Sequence, residues 1–246
     1  MIGDIWTMVW KEWREIFLQR GTFRGGVFSA IVIPLALLGI FIPWQEGRRW
    51  AQSTIAPVLW VWLPVFLVAT MICESFAGER ERKTLETLLA SRLADRTILF
   101  GKIAAAIGYG WGLAMSSMLL GLVTVNVVHG QGRLILLPAQ SIFVVSTISL
   151  LASALAASAG VLISLRAATV RQAQQTLSLS LMGLMFGCIF GLQALPPAWK
   201  AWLLRTFAGA NLITTALVGG AALLTLDLLL ISAAMARFQR ARLILD

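Results

Sequence analysis

Six apolar runs constrain this chain more than any other feature. They cover 25–43, 56–77, 98–125, 140–165, 176–195 and 212–236. A helix needs roughly 20 apolar residues to cross a hydrocarbon layer about 30 Å thick. Each run is close to that length or above it. No water satisfies backbone groups inside such a layer, so each run must close its own hydrogen bonds as a helix. The expectation is an all-α integral membrane protein with six transmembrane helices. Composition agrees: 59% of the residues are hydrophobic and the mean hydropathy is +0.84. Soluble domains have about 45–50% apolar residues. One transmembrane domain, 1–246, accounts for the whole length.

The net charge of +9 invites a nucleic-acid reading, but the placement of the charges argues against it. The cations cluster at the ends of the apolar runs, where topology and anionic lipid place them. With the N-terminus inside, cytosolic segments hold fifteen of the twenty Lys and Arg residues, and the opposite side holds five. Both termini are expected in the cytosol of a multi-pass plasma (inner) membrane protein.

The runs differ in character. Pro34 and Pro64 lie inside the first two, where a proline kinks a helix. The third carries Gly101, Gly108, Gly110, Gly112 and Gly121. Gly108 and Gly112 form a Gly-x-x-x-Gly pair, a pattern of close helix packing. The fourth is rich in small residues, among them Ser149, Ser153, Ala156, Ala157 and Gly160.

Residues 4–20 are amphipathic. Ile5, Val9, Trp13 and Ile16 form a stripe with Trp6, Trp10 and Phe17 beside it; Asp4, Lys11, Arg14 and Glu15 take the other side. That predicts a helix lying in the headgroup zone. Its acids do not fit the basic start of a cleavable signal peptide. On the far side of the membrane, 196–205 carries Trp199 and Trp202 and is expected to dip into the outer leaflet.

One long polar stretch, 74–102, interrupts the apolar sequence. It holds six cations and five acids. Leu85, Leu88 and Leu89 share one helical face. Glu79 with Lys83, and Arg82 with Glu86, are i, i+4 pairs. Asp95 stands at an N-cap position before the next apolar run. These features predict a short surface helix over about 81–90. Periodicity does not separate a docked helix from one that only joins two spans.

The run Glu79-Arg80-Glu81-Arg82-Lys83-Thr84-Leu85-Glu86-Thr87-Leu88-Leu89-Ala90-Ser91, followed by Ile98-Leu99-Phe100-Gly101-Lys102, resembles the loop between the second and third spans of ABC-2 type transporter permeases. Lys83 stands where that family commonly has Gly, and Arg92 stands near its usual Pro. The resemblance extends to both ends, at Lys11-Glu12-Trp13-Arg14-Glu15 and 237–243. It implies a type V exporter-like arrangement, six spans behind an interfacial helix. It further implies a non-catalytic permease subunit that pairs with a second permease chain and docks on a separate ATP-binding cassette ATPase. In that family the loop, here 79–96, would couple the two through Glu79, Arg82, Leu85, Glu86, Leu88, Leu89 and Arg92. ATP would be bound by the partner, so no cofactor is expected here.

The chemistry missing from the sequence points the same way. No Gly-x-x-x-x-Gly-Lys-Ser/Thr phosphate loop is present. His129 is the single histidine and reads as a solvated outer-loop residue. Cys73 and Cys188 lie within apolar runs and read as packing residues. No Ser/His/Asp set or paired-acid site can be assembled, which disfavours a membrane enzyme. Two acids remain near or within spans. Glu74 is close enough to the interface to reach water or Arg80. Asp227 lies well inside the last run, and an intramembrane charge is a functional-site hypothesis. Asp227 supports the alternative reading, a proton-coupled secondary transporter.

Overall fold

A computed structural model describes residues 2–18, 26–52, 56–84, 93–208 and 212–238. It is 88% helix with no strand among the described residues. The helices are α1 (Ile2–Leu18), α2 (Gly26–Ala36), α3 (Ile42–Glu46), α4 (Arg48–Gln52), α5 (Ala56–Cys73), α6 (Glu79–Glu81), α7 (Asp95–His129), α8 (Ala139–Ser164), α9 (Val170–Ala194), α10 (Pro197–Ala208) and α11 (Leu212–Arg237). A π turn, Leu37–Phe41, joins α2 to α3, and a second, Glu74–Gly78, joins α5 to α6. The first begins three residues after Pro34, so the helix widens just beyond the proline.

Three described helices are long and apolar enough to cross a membrane: Asp95–His129, Ala139–Ser164 and Ile213–Arg237. Ile31–Glu46 is a shorter apolar helix.

The small-residue helix α8 is the packing centre. It lies against α5, α11 and α7, while α7 also packs on α5 and α1. Ser149, Ser153, Ala156, Ala157 and Gly160 are all buried there. Without a hydrophobic drive between helices in lipid, close contact comes from side chains short enough to let backbones approach. A Cβ on Gly160 would run into Ile72 of α5, and one on Gly110 of α7 would run into Val68. The Gly108–Gly112 pair does not act as one motif. Gly108 backs onto the Trp13 ring, whereas Gly112 has no neighbour within 4 Å of a Cβ position among the described residues.

Helix α1 departs from the expected headgroup stripe. Met8, Val9 and Glu12 are buried against the protein, while Trp6 and Trp10 are exposed. Met8 fills the space over Gly101. The Trp13 indole donates to the Ala105 carbonyl at 3.0 Å. The helix is therefore docked on the start of α7, with two of its tryptophans turned outward. His129 is also less solvated than expected: its Nδ1 is buried with no hydrogen-bond partner among the described residues, and its ring lies over Gly47.

Candidate functional site

Three segments distant in sequence meet at the base of the polar stretch: α1, the run from the second π turn into α6, and the first turns of α7. Lys102 lies at their centre with its side chain 0% exposed. Its Nζ donates to Glu12 Oε1 at 2.9 Å, to Ser75 Oγ at 2.9 Å and to the Ser75 carbonyl at 3.0 Å. Glu79 Oε1 is a further 2.9 Å partner. Ser75 Oγ in turn donates to Glu12 Oε2 at 2.8 Å. Lys11 closes the cluster from outside, 3.2 Å from Glu79 Oε1 and 3.2 Å from Glu15 Oε1. The buried acids, Glu12 and Glu79, are thus matched by Lys102 and Lys11. That pairing lets charge persist away from water, since an unpaired buried ion costs several kcal/mol.

Local structure explains the convergence. Ser75 lies in the π turn, a widened helical turn often found at functional sites. Both its hydroxyl and its carbonyl face Lys102. The Phe76 ring from the same turn lies 5.4 Å from the Lys102 ammonium, a cation–π distance. Phe238, just after α11, meets Phe76 edge-on with ring centroids 5.8 Å apart.

Burial alone would raise the Glu12 carboxyl. The charge and hydrogen bond of Lys102, helped by Lys11 and Ser75, more than offset that and hold it below the ordinary carboxylate value. For Lys11, burial lowers the ammonium value. The attraction of Glu79, Glu12 and Glu15 prevails and raises it.

The next two residues grip a neighbouring loop. Arg80 Nη1 donates to the Leu165 carbonyl at 2.9 Å. The Val170 amide donates to Glu81 Oε2 at 3.1 Å. A cation thus meets the C-terminus of α8 and an anion meets the N-terminus of α9, which satisfies free backbone groups and suits both helix dipoles. Thr169 completes the α9 cap, accepting from the Gln172 amide at 3.2 Å.

The expected helix over 81–90 does not start as predicted. Helix α6 ends at Glu81. Lys83 takes φ 57, the Thr84 amide bonds the Glu79 carbonyl and the Lys83 amide bonds the Arg80 carbonyl. That pair of bonds is a Schellman stop, whose left-handed position favours glycine because it lacks a Cβ. The family's common Gly falls at this position. The Glu79–Lys83 pair is replaced by Glu79 turned inward to Lys102 and Lys11. Asp95 is not the N-cap: Ala94 is, and Asp95 is the first helical residue.

Of the residues singled out for coupling, Glu79 joins the buried cluster and Arg82 is exposed beside it. Leu85, Glu86, Leu88, Leu89 and Arg92 lie outside the described residues. Glu74 is half-buried in the π turn, and Arg80 reaches Leu165 rather than Glu74. Asp227 is elsewhere, on α11, eleven residues or about 16 Å of helix before Phe238. It is 2% exposed. Neither carboxylate oxygen has a hydrogen-bond partner among the described residues. Its packing neighbour α8 carries no charged residue.

Sequence reasoning missed Glu12, Ser75 and Lys102. Two signals pointed to them. Lys102 falls inside the run 98–125, where a charge needs a partner. Glu12 sits beside the Val9–Trp13 stripe, on the side of the helix that must be covered.

The class this defines is an all-helical membrane protein whose charged loop is rooted in a buried ion cluster. No group of metal-ligating residues occurs among the described ones. The sequence model of the ABC-2 type transporter family matches residues 3–217. The chain belongs to that family, whose membrane subunits normally work with an ATPase partner. No curated protein matches the chain.

Proposed function

We propose that the chain is the membrane-spanning permease subunit of an ATP-driven ABC transporter, an exporter with six spans in the type V arrangement. It is docked to a separate ATPase through the cytosolic loop 79–96. Two permease chains, identical or different, line the path, and the ATPase binds the ATP. The anchoring of three consecutive residues carries this reading. Glu79 is tied to Lys11 on α1 and Lys102 on α7, Arg80 to the end of α8, and Glu81 to the start of α9. A push on 79–96 therefore reaches α1, α8 and α9 as well as α7, which the loop enters. Leu85, Leu88 and Leu89 supply the apolar anchor, with Arg82, Glu86 and Arg92 as its polar rim. The permease purified from its native membrane should carry the ATPase in equal number, and transport should require ATP.

The alternative, a proton-coupled secondary transporter, draws on one observation, the carboxylate of Asp227 on α11, which has no hydrogen-bond partner among the described residues. Transport by this chain alone, driven by a proton gradient and indifferent to ATP, would establish that alternative.

A further inference from the structure

Away from the polar loop, the far end of α7 meets the turn between α3 and α4. The His129 ring lies against Gly47, its Cδ2 3.0 Å from where a Cβ would stand. Arg48 Nη2 donates to Gln131 Oε1 at 3.2 Å, across 83 positions. Gln131 lies in a turn closed by the Arg133 amide, which donates to the Gly130 carbonyl at 2.8 Å. Arg48, Arg49 and Arg133 are thereby gathered from two segments, and all three are exposed. They are three of the five cations expected on this side of the membrane. Topology keeps cations scarce there, so it does not explain why they gather. Glu46 is the single acid within 42–52 and 126–138. Among the described residues no acid forms an ion pair with any of the three. The chain then runs back along α7. Asn126 Nδ2 donates to the Ile135 carbonyl at 2.8 Å, and the Ile135 amide donates to Asn126 Oδ1 at 2.8 Å. On either side of Ile135, Leu134 and Leu136 are 84% and 70% exposed.

We propose that Arg48, Arg49 and Arg133 hold the phosphate of an anionic phospholipid in the leaflet at this end, with its acyl chains against Leu134 and Leu136. The inference goes beyond the permease reading and needs only that the run 98–125 crosses the bilayer. Height carries it. His129 is four residues past the end of that run, at most about 6 Å beyond the hydrocarbon edge at 1.5 Å per residue. The headgroup layer is about 5–8 Å deep on each side. Gln131 follows His129 closely and fixes Arg48 at the phosphate level. Asn126 holds Ile135 one residue past the run, so Leu134 and Leu136 lie at the hydrocarbon edge below the arginines. Cations above an exposed apolar pair match an anionic amphiphile, and guanidinium groups bind phosphate oxygens through paired hydrogen bonds. A surface for an acidic protein would stand clear of the headgroups.

The test is the thermal midpoint of the detergent-purified permease titrated with phosphatidylglycerol, phosphatidylcholine or glycerol 3-phosphate, since a ligand of the folded state raises it. Arg49 and Arg133 make no side-chain bond among the described residues, so Arg49→Gln with Arg133→Gln spares the Arg48–Gln131 contact. Wild type should respond to phosphatidylglycerol at lower concentration than to phosphatidylcholine. The double Gln variant should need at least fivefold more phosphatidylglycerol for the same rise above its own lipid-free midpoint. Arg49→Lys with Arg133→Lys should keep most of the preference. A double Gln variant that responds as wild type does overturns the site, because the remaining cations then account for the lipid effect. Equal wild-type responses to the two lipids also overturn it, and so does a Lys pair that loses the preference as fully as the Gln pair. A rise with glycerol 3-phosphate as large as with phosphatidylglycerol overturns the lipid and assigns the arginines to free phosphate.

Discussion

Lys102 Nζ lies 2.9 Å from Glu12 Oε1, ninety positions away in sequence, with both side chains shut off from solvent. This contact fastens the N-terminal helix to the helix that begins just after the polar loop. Breaking one partner of a buried ion pair costs about 3–5 kcal/mol, because the other charge is left without compensation. Lys102→Met should therefore lower the thermal midpoint in detergent sharply. Adding Glu12→Gln and Glu79→Gln should recover part of that loss. Equal midpoints for wild type and Lys102→Met would mean that the cluster does not hold the helices together.

Acid should loosen the same contact. The Glu12 carboxyl is held below its ordinary value of 4.5 by Lys102 against the effect of burial. Its stabilisation is therefore complete above that value and is lost as pH falls through the lower folded value. Lys11 runs the other way: its raised value means its contribution is complete below 10.5 and is lost only at higher pH. Thermal midpoints measured from neutral pH down to pH 3 should fall more steeply for wild type than for Glu12→Gln. Parallel curves would remove Glu12 from the account.

Lys83 occupies a left-handed position at φ 57. A non-glycine residue there bears a strain of roughly 1–2 kcal/mol. Lys83→Gly should stabilise by up to about 1 kcal/mol after the added freedom of the unfolded chain is subtracted. Lys83→Val should destabilise. The same detergent midpoints measure both, and a stabilising Val would contradict the turn.

Asp227 tests the alternative function. A buried polar group left unpaired costs about 1–3 kcal/mol, so Asp227→Leu should raise stability. Asp227→Asn should leave ATP-driven transport largely intact. Loss of transport in a normally assembled Asp227→Asn protein would favour the proton-coupled reading.

The helical class was legible because a bilayer leaves backbone groups no other partner, and the apolar runs are long enough to show it. The buried small residues of α8 were legible for the same reason: Ser149 to Gly160 have little other use in lipid. The ion cluster was not. Nothing in the sequence pairs Glu12 with Lys102, because helical periodicity relates neighbours within a segment and these belong to different ones. Glu79 was misassigned by that rule. Its i, i+4 partner Lys83 sits in a turn, and the stronger partner comes from α7. Arg80 and Glu81 read as ordinary loop charges, since the helix ends they cap lie more than eighty residues on. The Gly108–Gly112 spacing was genuine as a pattern but faces two environments, one filled by Trp13 and one open.

Force on the polar loop can move the spans only if the loop is docked, and docking needs an apolar anchor. Burying a leucine side chain is worth roughly 1.5–3 kcal/mol, against less than about 1 kcal/mol for an exposed ion pair. The most direct test is Leu85→Ser with Leu88→Ser in liposomes that contain the permease and its ATPase, with ATP hydrolysis and substrate movement measured together. The account predicts weakened ATPase association and hydrolysis no longer stimulated by substrate, with the protein still inserted in the membrane. Wild-type association and wild-type coupling in that double variant would contradict it.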